Sequence, residues 1–346
     1  MRSTLATLLL LVLSCPLLAD DKDGRLDIYF IDVEGGAATL LVTPVGDSVL
    51  IDSGYPDNQG RDRDRILRVV KDVAGRKRID HAVVSHWHLD HYGNHAALAA
   101  LIPVGRFWDR GMPEMLSEDP KYPERIELYR AAAQNGSTTL RAVDTFDMPA
   151  KETPLKVRVL TASGDVVPNE GPANPFAAEH KPQPEDTSDN AKSLSLLFRF
   201  GDFTFLTCGD LTWNTEAKLM APNNPVGKVE MFMVTHHGLD VSNNPVLVRA
   251  IEPRVAVMCN GPEKGCAART WETLRKCDTL QAVFQLHRNV KLAAADQTPA
   301  EFIANTDTTA TCQGKFVKAS VAPDGKSYTV SIEGVDKTHN FQTRGN

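Results

Sequence analysis

The chain has 346 residues and a mass of 37.9 kDa, and 42% of its residues are hydrophobic, 24% charged and 7% aromatic. This is the composition of a globular protein, and it excludes wholesale disorder, a fibrous repeat and a polytopic membrane protein. A formal net charge of -6 argues against tight binding to a nucleic-acid backbone through lysine and arginine alone.

The first residues have the pattern of an export signal. One basic residue, Arg2, precedes a short apolar stretch that ends at the small residue Ala19, directly before the acidic Asp20. This pattern predicts a secretory signal peptide over residues 1–19 and export to the periplasm or the extracellular space. Lipidation at Cys15 is a less favoured alternative, and no later segment has the ~20 apolar residues that a membrane-spanning helix needs.

The rest of the chain is predicted to form a single domain over residues 24–335. Strand patterns come first, a charged helix follows at residues 61–73, and strands then alternate with helices. Residues 165–189 contain five prolines and are predicted to form a long surface loop. The order of elements favours a layered α/β sandwich over a doubly wound sheet. The predicted strands cover residues 26–33, 39–42, 49–51, 82–85, 155–160, 194–200, 203–207, 229–235, 255–258, 282–286, 316–322 and 328–332.

Five cysteines follow the predicted signal peptide: Cys208, Cys259, Cys266, Cys277 and Cys312. The odd number leaves at least one thiol unpaired or paired with another chain. Cys208 lies in an apolar run and is predicted to be a buried free thiol. The other four allow two disulfides in an oxidising compartment, with Cys266 paired to Cys277 or to Cys259, although the connectivity stays open. A zinc site made of cysteines alone is disfavoured because the chain has no CxxC pair.

Residues 85–91 read Ser-His-Trp-His-Leu-Asp-His, at the point where a predicted buried strand ends and a helix begins. His86 and His88 are two positions apart, so in an extended segment they can face the same way and share one metal ion. Asp90 and His91 lie in the turn into the helix and can reach a second ion. Four metal-capable side chains in six residues predict a metal site, whereas Trp87 is predicted to pack against the sheet.

Two further strands end in ligand-type residues. One apolar strand ends at Gly209-Asp210, and another ends at Thr235-His236-His237-Gly238. Strand ends of a layered α/β protein can converge on one edge of a sheet, where catalytic loops are commonly found. These residues are therefore expected to join the site built around residues 86–91.

The three motifs together resemble the metallo-β-lactamase superfamily. Within it the chain is most similar to the ComEC-like branch, the metallohydrolase domain of DNA-internalisation proteins and its stand-alone relatives. Residues 31–38 and 50–54 resemble that branch's glycine-containing opening and its Asp-Ser/Thr-Gly strand end. The match covers about residues 26–259, and residues 260–335 form a divergent part that contains cysteines. The resemblance implies an αββα sandwich with two mixed β-sheets flanked by helices.

The resemblance also implies a ligand set for two zinc ions, with manganese as an alternative. His86 and His88 would hold the first ion. The second would be held by Asp90, His91 and one of the two later imidazoles, and Asp210 would bridge the two ions. His236 is favoured as the ligand because it directly follows the strand, and His237 would then face the substrate or support a ligand.

Several polar residues are expected to complete this site. Many branches have a further histidine where this chain has Asn190, and the ComEC-like branch also favours asparagine there. The first ion would then be completed by Asn190 or water, or be weakly bound, with His180 as a minor alternative. Asp52 is expected to orient a ligand or the attacking hydroxide, unless it belongs to an ordinary strand-end turn. Ser242 and Asn243 lie where they could donate hydrogen bonds to a phosphate.

The function that the resemblance implies is that of a secreted di-zinc hydrolase. Two zinc ions about 3.5–4 Å apart would generate a metal-bound hydroxide that attacks a phosphodiester. Asp90, Asp210 and Asp52 would carry the catalytic roles. The negative net charge favours a small diester over long DNA as the substrate. The alternatives are a hydrolase of lactam, lactone or thioester bonds, and a non-catalytic metal-binding scaffold of the same fold; the oligomeric state stays open.

Overall fold

The computed structural model describes residues 23–56, 58–134, 136–307 and 311–345. The predicted signal peptide at residues 1–19 and the alternative lipidation site at Cys15 lie outside the described residues. Within these ranges, every helix is too short or too polar to cross a membrane.

The helices of the described chain are short, and the first of them confirms the predicted charged helix. It begins at Arg61 and continues past Arg68 as one π-helical segment, Val69–Val73. The α-helices are α1 (Arg61–Arg68), α2 (Leu89–Tyr92), α3 (His95–Ala99), α4 (Tyr122–Ala132), α5 (Trp213–Met220), α6 (Pro245–Val248) and α7 (Ala268–Arg275).

The strands belong to two sheets, in chain order. The early strands are β1 (Leu26–Phe30), β2 (Thr39–Val42), β3 (Ser48–Ile51), β4 (Ile79–Val83), β5 (Val104–Asp109), β6 (Thr138–Thr139), β7 (Thr145–Met148), β8 (Leu155–Ala162) and β9 (Asp165–Val166). The later strands are β10 (Ser195–Phe200), β11 (Phe203–Thr207), β12 (Met231–Met233), β13 (Val255–Met258), β14 (Ala282–His287), β15 (Ile303–Asn305), β16 (Val317–Val321), β17 (Ser327–Ile332) and β18 (Thr338–Gln342).

Both sheets are mixed. The first has the order β18-β17-β16-β1-β2-β3-β4-β5-β6, and its strands pair in parallel from β3 to β6 and antiparallel elsewhere. The second has the order β15-β14-β13-β12-β11-β10-β8-β7, parallel from β11 to β15 and antiparallel elsewhere, with β9 added beside β8. The parallel pairs of each sheet bring the carboxyl ends of neighbouring strands to the same edge.

The main core lies between the two sheets. Alternate side chains of β1 pack on opposite faces of the first sheet, because successive side chains of a strand point to opposite faces. Ile28 and Phe30 pack into the core between the sheets, and the Phe30 ring lies 5.7 Å from the Phe205 ring of the second sheet. Helices α1, α3 and α4 cover the outer face of the first sheet, and α5, α6 and α7 cover that of the second. The predicted αββα sandwich is confirmed.

The predicted disulfides do not form, since all five described cysteines are free thiols. Cys259 belongs to the core between the sheets, whereas Cys266 and Cys277 belong to the cluster behind the second sheet. The Cys266 sulfur instead accepts hydrogen bonds from Trp271 Nε1 and Gln285 Nε2, each at 3.1 Å. The suggested pairing of Cys266 with Cys277 or Cys259 is therefore wrong, while the prediction that Cys208 is a buried free thiol is confirmed.

We expect the core between the sheets to supply much of the stability of the fold. Phe205 is fully buried and contacts the rings of Phe30 and Phe198. Phe205→Ala should lower the free energy of unfolding by about 3–5 kcal/mol, measured by chemical denaturation, because it leaves a cavity between the sheets. Leu128→Ala, at a 68% exposed position on α4, is the control and should change it by less than about 0.5 kcal/mol. Equal effects of the two substitutions would contradict this account.

Candidate metal centre

Three strand ends bring ligand-type side chains together at one edge of the sandwich. Residues 85–91 follow β4 of the first sheet, Asp210 follows β11 of the second, and the paired imidazoles follow β12. One donor atom each of Asp90, His91, Asp210 and His237 lies within 4.8 Å of the others. The four side chains are buried, and we refer to them as the donor cluster.

The Asp210 carboxylate is the centre of the cluster. Its Oδ2 atom lies 3.2 Å from His91 Nε2 and 3.3 Å from the Nε2 atoms of both His236 and His237. Asp90 Oδ2 approaches two of the same imidazoles, at 3.5 Å from His91 Nε2 and 3.3 Å from His237 Nε2. Gly209 allows the chain before Asp210 to pass close to Ser85. Its φ of 52° is in the left-handed region, and a Cβ atom there would lie 3.0 Å from the Ser85 side chain.

The structure groups His237 with the other three donors, whereas the sequence favoured His236. Both imidazoles contact Asp210, so the choice of the direct ligand stays a prediction. Both residues adopt left-handed backbone conformations, with φ of 55° and 54°. Such conformations cost about 1–3 kcal/mol each in non-glycine residues and concentrate at functional sites. This turn sets the direction of both rings: His236 Nε2 contacts Asp210, and His237 Nε2 contacts Asp210 and Asp90.

The other ring nitrogen of each imidazole has a fixed partner. His237 Nδ1 lies 3.0 Å from the Cys259 carbonyl, which can only accept, so Nδ1 carries the proton and Nε2 of the neutral ring offers a lone pair. The Ser242 hydroxyl donates to the Leu211 carbonyl at 2.7 Å and therefore accepts from His236 Nδ1 at 3.0 Å. Ser242 thus orients an imidazole, and its hydroxyl hydrogen is directed to the Leu211 carbonyl.

His86 and His88, the expected ligands of the first ion, lie next to each other but are not members of the donor cluster. His86 is fully buried, its Nε2 lies 3.9 Å from Asp210 Oδ2, and within the described chain this nitrogen has no hydrogen-bond partner. The His88 ring lies beside that of His86, with centroids 4.8 Å apart, but its Nε2 is 3.2 Å from Glu118 Oε1. Glu118, which was not predicted, is thus the carboxylate partner of the His88 ring.

Asp52 is placed to orient one of the donors, as expected. Its carboxylate accepts hydrogen bonds from the Ser85 backbone N–H (2.8 Å), the Ser85 hydroxyl (2.7 Å) and His91 Nδ1 (2.8 Å). Asp52 is 1% exposed and has a left-handed φ of 61°. A carboxylate that holds the outer nitrogen of a histidine turns the inner nitrogen towards a metal and raises its basicity.

The carboxylates and imidazoles of the cluster shift one another's pKa values. Burial alone would raise the pKa values of Asp90 and Asp210, but the neighbouring imidazoles hold both well below their usual range. Burial would likewise lower the pKa of His91, but Asp210, Asp90 and Asp52 raise it well above its usual value. Burial lowers the pKa of His236 to about 4. Asp90, Asp210 and His91 thus stabilise one another's charged forms.

A lysine at the mouth of the cluster was not predicted. Lys264 Nζ lies 2.5 Å from Asp90 Oδ2 and 3.4 Å from the Tyr55 hydroxyl, and its side chain is 33% exposed. It comes from the segment between β13 and α7, where the family resemblance ends. That segment is tied to the imidazole turn, because the Cys266 N–H donates to the His237 carbonyl at 3.0 Å. No local sequence signal marks Lys264, since its position depends on this long-range contact.

The remaining candidate residues lie around the cluster. Asn190 lines a cleft of about 1140 Å³, and among the described residues its buried Oδ1 has no hydrogen-bond partner. His180 Nδ1 lies 3.0 Å from Asn244 Nδ2, and His180 is not a member of the donor cluster. The Asn243 amide donates to the Thr235 carbonyl at 2.9 Å rather than facing a substrate.

Trp87 is fully buried among Tyr92, Tyr122 and Tyr129, as predicted.

The donor set fits a divalent metal ion of the zinc class. Imidazole nitrogens and carboxylate oxygens are ligands that zinc prefers. The buried, unpaired Nε2 of His86 gives an independent indication, because leaving such an atom without a partner costs about 1–3 kcal/mol. Asp90, His91, Asp210 and His237 would hold one ion, and His86 and His236 lie within reach of Asp210 for a second.

Removing the Asp52 carboxylate should weaken metal binding without removing a ligand. In Asp52→Asn the side chain no longer fixes the proton on His91 Nδ1 as strongly, so we expect zinc affinity to fall by about 10- to 100-fold in a chelator competition. Asp147→Asn, at an exposed position on β7, is the matched control and should bind zinc like the wild type. An unchanged affinity in Asp52→Asn would contradict the orienting role.

Zinc affinity should also depend on pH in a defined direction. Because the pKa of His91 is raised in the folded protein, the proton is retained at neutral pH and must leave before the ring can bind a metal. Lowering the pH should therefore weaken zinc binding, by up to about tenfold per pH unit, in titrations between pH 8 and pH 6. A constant affinity over this range would show that no such proton is displaced.

Comparisons with known proteins found similar solved structures and one family model. Solved structures similar to the chain include CmlA, a diiron β-hydroxylase from Streptomyces venezuelae, at 16% identity, with 75% of this chain and 47% of that chain covered and a TM-score of 0.39. The chain thus spans about half of the length of CmlA. A candidate metal-dependent hydrolase from Parabacteroides distasonis is 12% identical, with 75% of this chain and 92% of that chain covered and a TM-score of 0.40.

A β-lactamase of subclass B3 is also similar. This protein, MEM-A1 from a soil metagenome, is 13% identical, with 77% of this chain and 81% of that chain covered and a TM-score of 0.32. No curated protein sequence matches the chain. The family model of the metallo-beta-lactamase superfamily matches residues 31–209, just over half of the chain and the part that carries residues 86–91. The chain belongs to the metallo-beta-lactamase superfamily.

Proposed function

We propose that the protein is a secreted, metal-dependent hydrolase that cleaves a small phosphodiester, as a stand-alone member of the ComEC-like branch. The observation that carries the proposal is the ammonium group of Lys264, held 2.5 Å from Asp90 and next to the donor cluster. It adds a fixed positive charge where an anionic substrate would meet the metal. A phosphodiester, which carries one negative charge in its reacting group, matches that charge.

The residues of the site would have two roles, binding the metal ions and orienting the ligands. Asp90, His91, Asp210 and His237 would hold the principal ion, and His86 and His236 would contribute to a second. Zinc or manganese bound there would lower the pKa of a coordinated water and polarise the phosphoryl oxygen. Asp52, the Cys259 carbonyl and Ser242 each hold the outer nitrogen of one imidazole, so that the inner nitrogens face the reacting centre.

Lys264 would bind a non-bridging oxygen of the diester. Its ammonium group has three donors, of which Asp90 and Tyr55 engage two. Burial would lower the pKa of Lys264, but Asp90 and Asp210 raise it, so the charge is retained at neutral pH. A third donor then remains for the substrate, with the geometry of a single charge-assisted hydrogen bond.

The cleft of about 1140 Å³ could receive an organic arm of the diester. Its wall includes Thr212, two positions after Asp210, and Asn190, and it carries the basic side chains of Lys192, Lys218 and Arg269. Three acidic residues, Glu185, Asp186 and Asp240, line the same cleft. This mixture of charges favours a small diester over an extended polyanion, because a long nucleic acid would meet repulsion as well as attraction.

A second candidate is a lactam, lactone or thioester that carries a carboxylate. The same lysine would bind that carboxylate, so Lys264 alone does not separate the two substrate classes. A non-catalytic scaffold is less consistent with the site, because among the described residues the buried His86 Nε2 has no hydrogen-bond partner that would explain its place in the fold.

The first test is hydrolysis of bis(p-nitrophenyl) phosphate by the mature protein, metal-stripped and then restored with zinc. We expect zinc-dependent turnover, lost by at least about 100-fold in Asp210→Asn because the central carboxylate is removed. Lys264→Met should raise KM by about tenfold, since one charge-assisted contact is lost. Lys156→Met, at an exposed position on β8, is the control and should leave both constants unchanged.

Absence of hydrolysis by the zinc-bound protein would contradict the proposal. If the zinc-bound protein does not hydrolyse this diester, nor a nucleotide diester tested beside it, the phosphodiesterase proposal is wrong. Carboxylate-bearing lactones, lactams and thioesters would then be tested with the same variants. Loss of zinc from Asp210→Asn, measured by elemental analysis, keeps failure to bind metal distinct from failure to act on the substrate.

A further inference from the structure

A second group of ligand-type side chains lies outside the candidate metal centre. Asp32, Glu34, His287 and Cys312 each place one donor atom within 4.8 Å of the others, and none of them belongs to the donor cluster. Asp32 and Glu34 follow β1, and Cys312 precedes β16, both strands of the first sheet; His287 ends β14 of the second sheet. The group therefore lies at the junction of the two sheets.

The imidazole in this group has an unusual environment. His287 and Asp32 are both fully buried, and His287 Nε2 lies 2.8 Å from Asp32 Oδ1. Nevertheless, within the described chain neither ring nitrogen of His287 has a partner in hydrogen-bond geometry. His287 Nε2 and Asp32 Oδ1 are thus buried and close together, yet no hydrogen is aligned between them. Two ligands of one cation would be arranged in this way. The unpaired Nε2 of His86 has the same character in the candidate metal centre.

An arginine holds the other side of the group. Arg65 Nη1 lies 2.8 Å from Asp32 Oδ2, and Arg65 Nη2 lies 3.0 Å from Glu34 Oε1 and 2.8 Å from the Cys312 carbonyl. The guanidinium thus contacts Asp32 Oδ2, whereas Oδ1, which accepts from the Glu34 N–H at 3.0 Å, is the oxygen next to His287. Hydrogen bonds from outside a ligand set are what orients ligands at metal sites.

The charges leave room for a divalent cation. Arg65 and Arg61 contact the carboxylates of Asp32, Glu34 and Asp62. If Cys312 ligates a metal, it does so as a thiolate. Three carboxylates and one thiolate then face two guanidinium groups, and two negative charges remain. One nitrogen, one sulfur and carboxylate oxygens form a mixed set that suits zinc better than magnesium or calcium.

We propose that Asp32, His287 and Cys312, with Glu34 as the fourth ligand, form a structural binding site for a zinc-class divalent cation that joins the two sheets. The site is independent of the hydrolytic centre, shares no ligand with it and does not rest on the proposed reaction. Its role is to fasten the segment before β16 to the ends of β1 and β14.

Cobalt(II) is the probe, because thiolate ligation to cobalt gives a near-ultraviolet charge-transfer band. The mature wild-type protein should show this band and bind one more equivalent of Co²⁺ than Cys312→Ser, which should lack the band. Cys277→Ser, which removes a buried thiol elsewhere, should keep it. Asp210→Asn should also keep the band, because the donor cluster contains no thiol.

A measurement on the unmodified chain covers the case in which a variant fails to fold. Cys312 is half-buried, whereas the other described cysteines are buried, so it should be the fastest thiol to react with a disulfide reagent. Co²⁺ should suppress that fast reaction. A band that survives in Cys312→Ser, or a fast thiol that Co²⁺ does not protect, would overturn the proposal and identify the group as an Arg65–Asp32–His287 ion-pair network.

Discussion

The buried carboxylate of Asp52 connects the first sheet to the donor cluster. It accepts hydrogen bonds from Ser85 and from His91 Nδ1, and His91 Nε2 in turn lies 3.2 Å from Asp210, which follows a strand of the second sheet. All these groups are buried, so water cannot replace a lost partner, and the charge of each depends on its neighbours. The geometry of the whole cluster therefore depends on this chain of contacts between the sheets.

Much of the site could be predicted because its signals are local. Ligand-type residues at strand ends mark a functional edge whatever the distant contacts are, and residues 86–91, Asp210 and the paired imidazoles were found in this way. The main strands were predicted for a similar reason, since apolar runs such as β11 and β13 are buried on both faces. Six strands were missed: β6, β9 and β15 have only two or three residues, and β5, β7 and β18 are partly exposed.

The features that were not predicted depend on long-range geometry. Which imidazole enters the cluster is decided by two consecutive left-handed residues, and nothing in Thr-His-His-Gly specifies how that turn aims each ring. Lys264 reaches Asp90 because the segment that carries it is hydrogen-bonded to the His237 carbonyl. Cys259 does not pair with Cys266 because the core between the sheets and the cluster behind the second sheet lie on opposite faces of that sheet. Cys266 and Cys277 share that cluster, but the Cys266 sulfur accepts hydrogen bonds from Trp271 and Gln285 instead.

The cost of the site argues that it serves chemistry. Buried charged groups contribute less to stability than apolar side chains of similar size would, even when they are paired. Left-handed backbone at Asp52, His236 and His237 adds strain of about 1–3 kcal/mol at each position. A chain that needed only the αββα framework would be more stable with apolar residues at this edge. Instead the two sheets support a buried cluster of charged and strained residues beside the unpaired His86 nitrogen, and its donor set suits a cation.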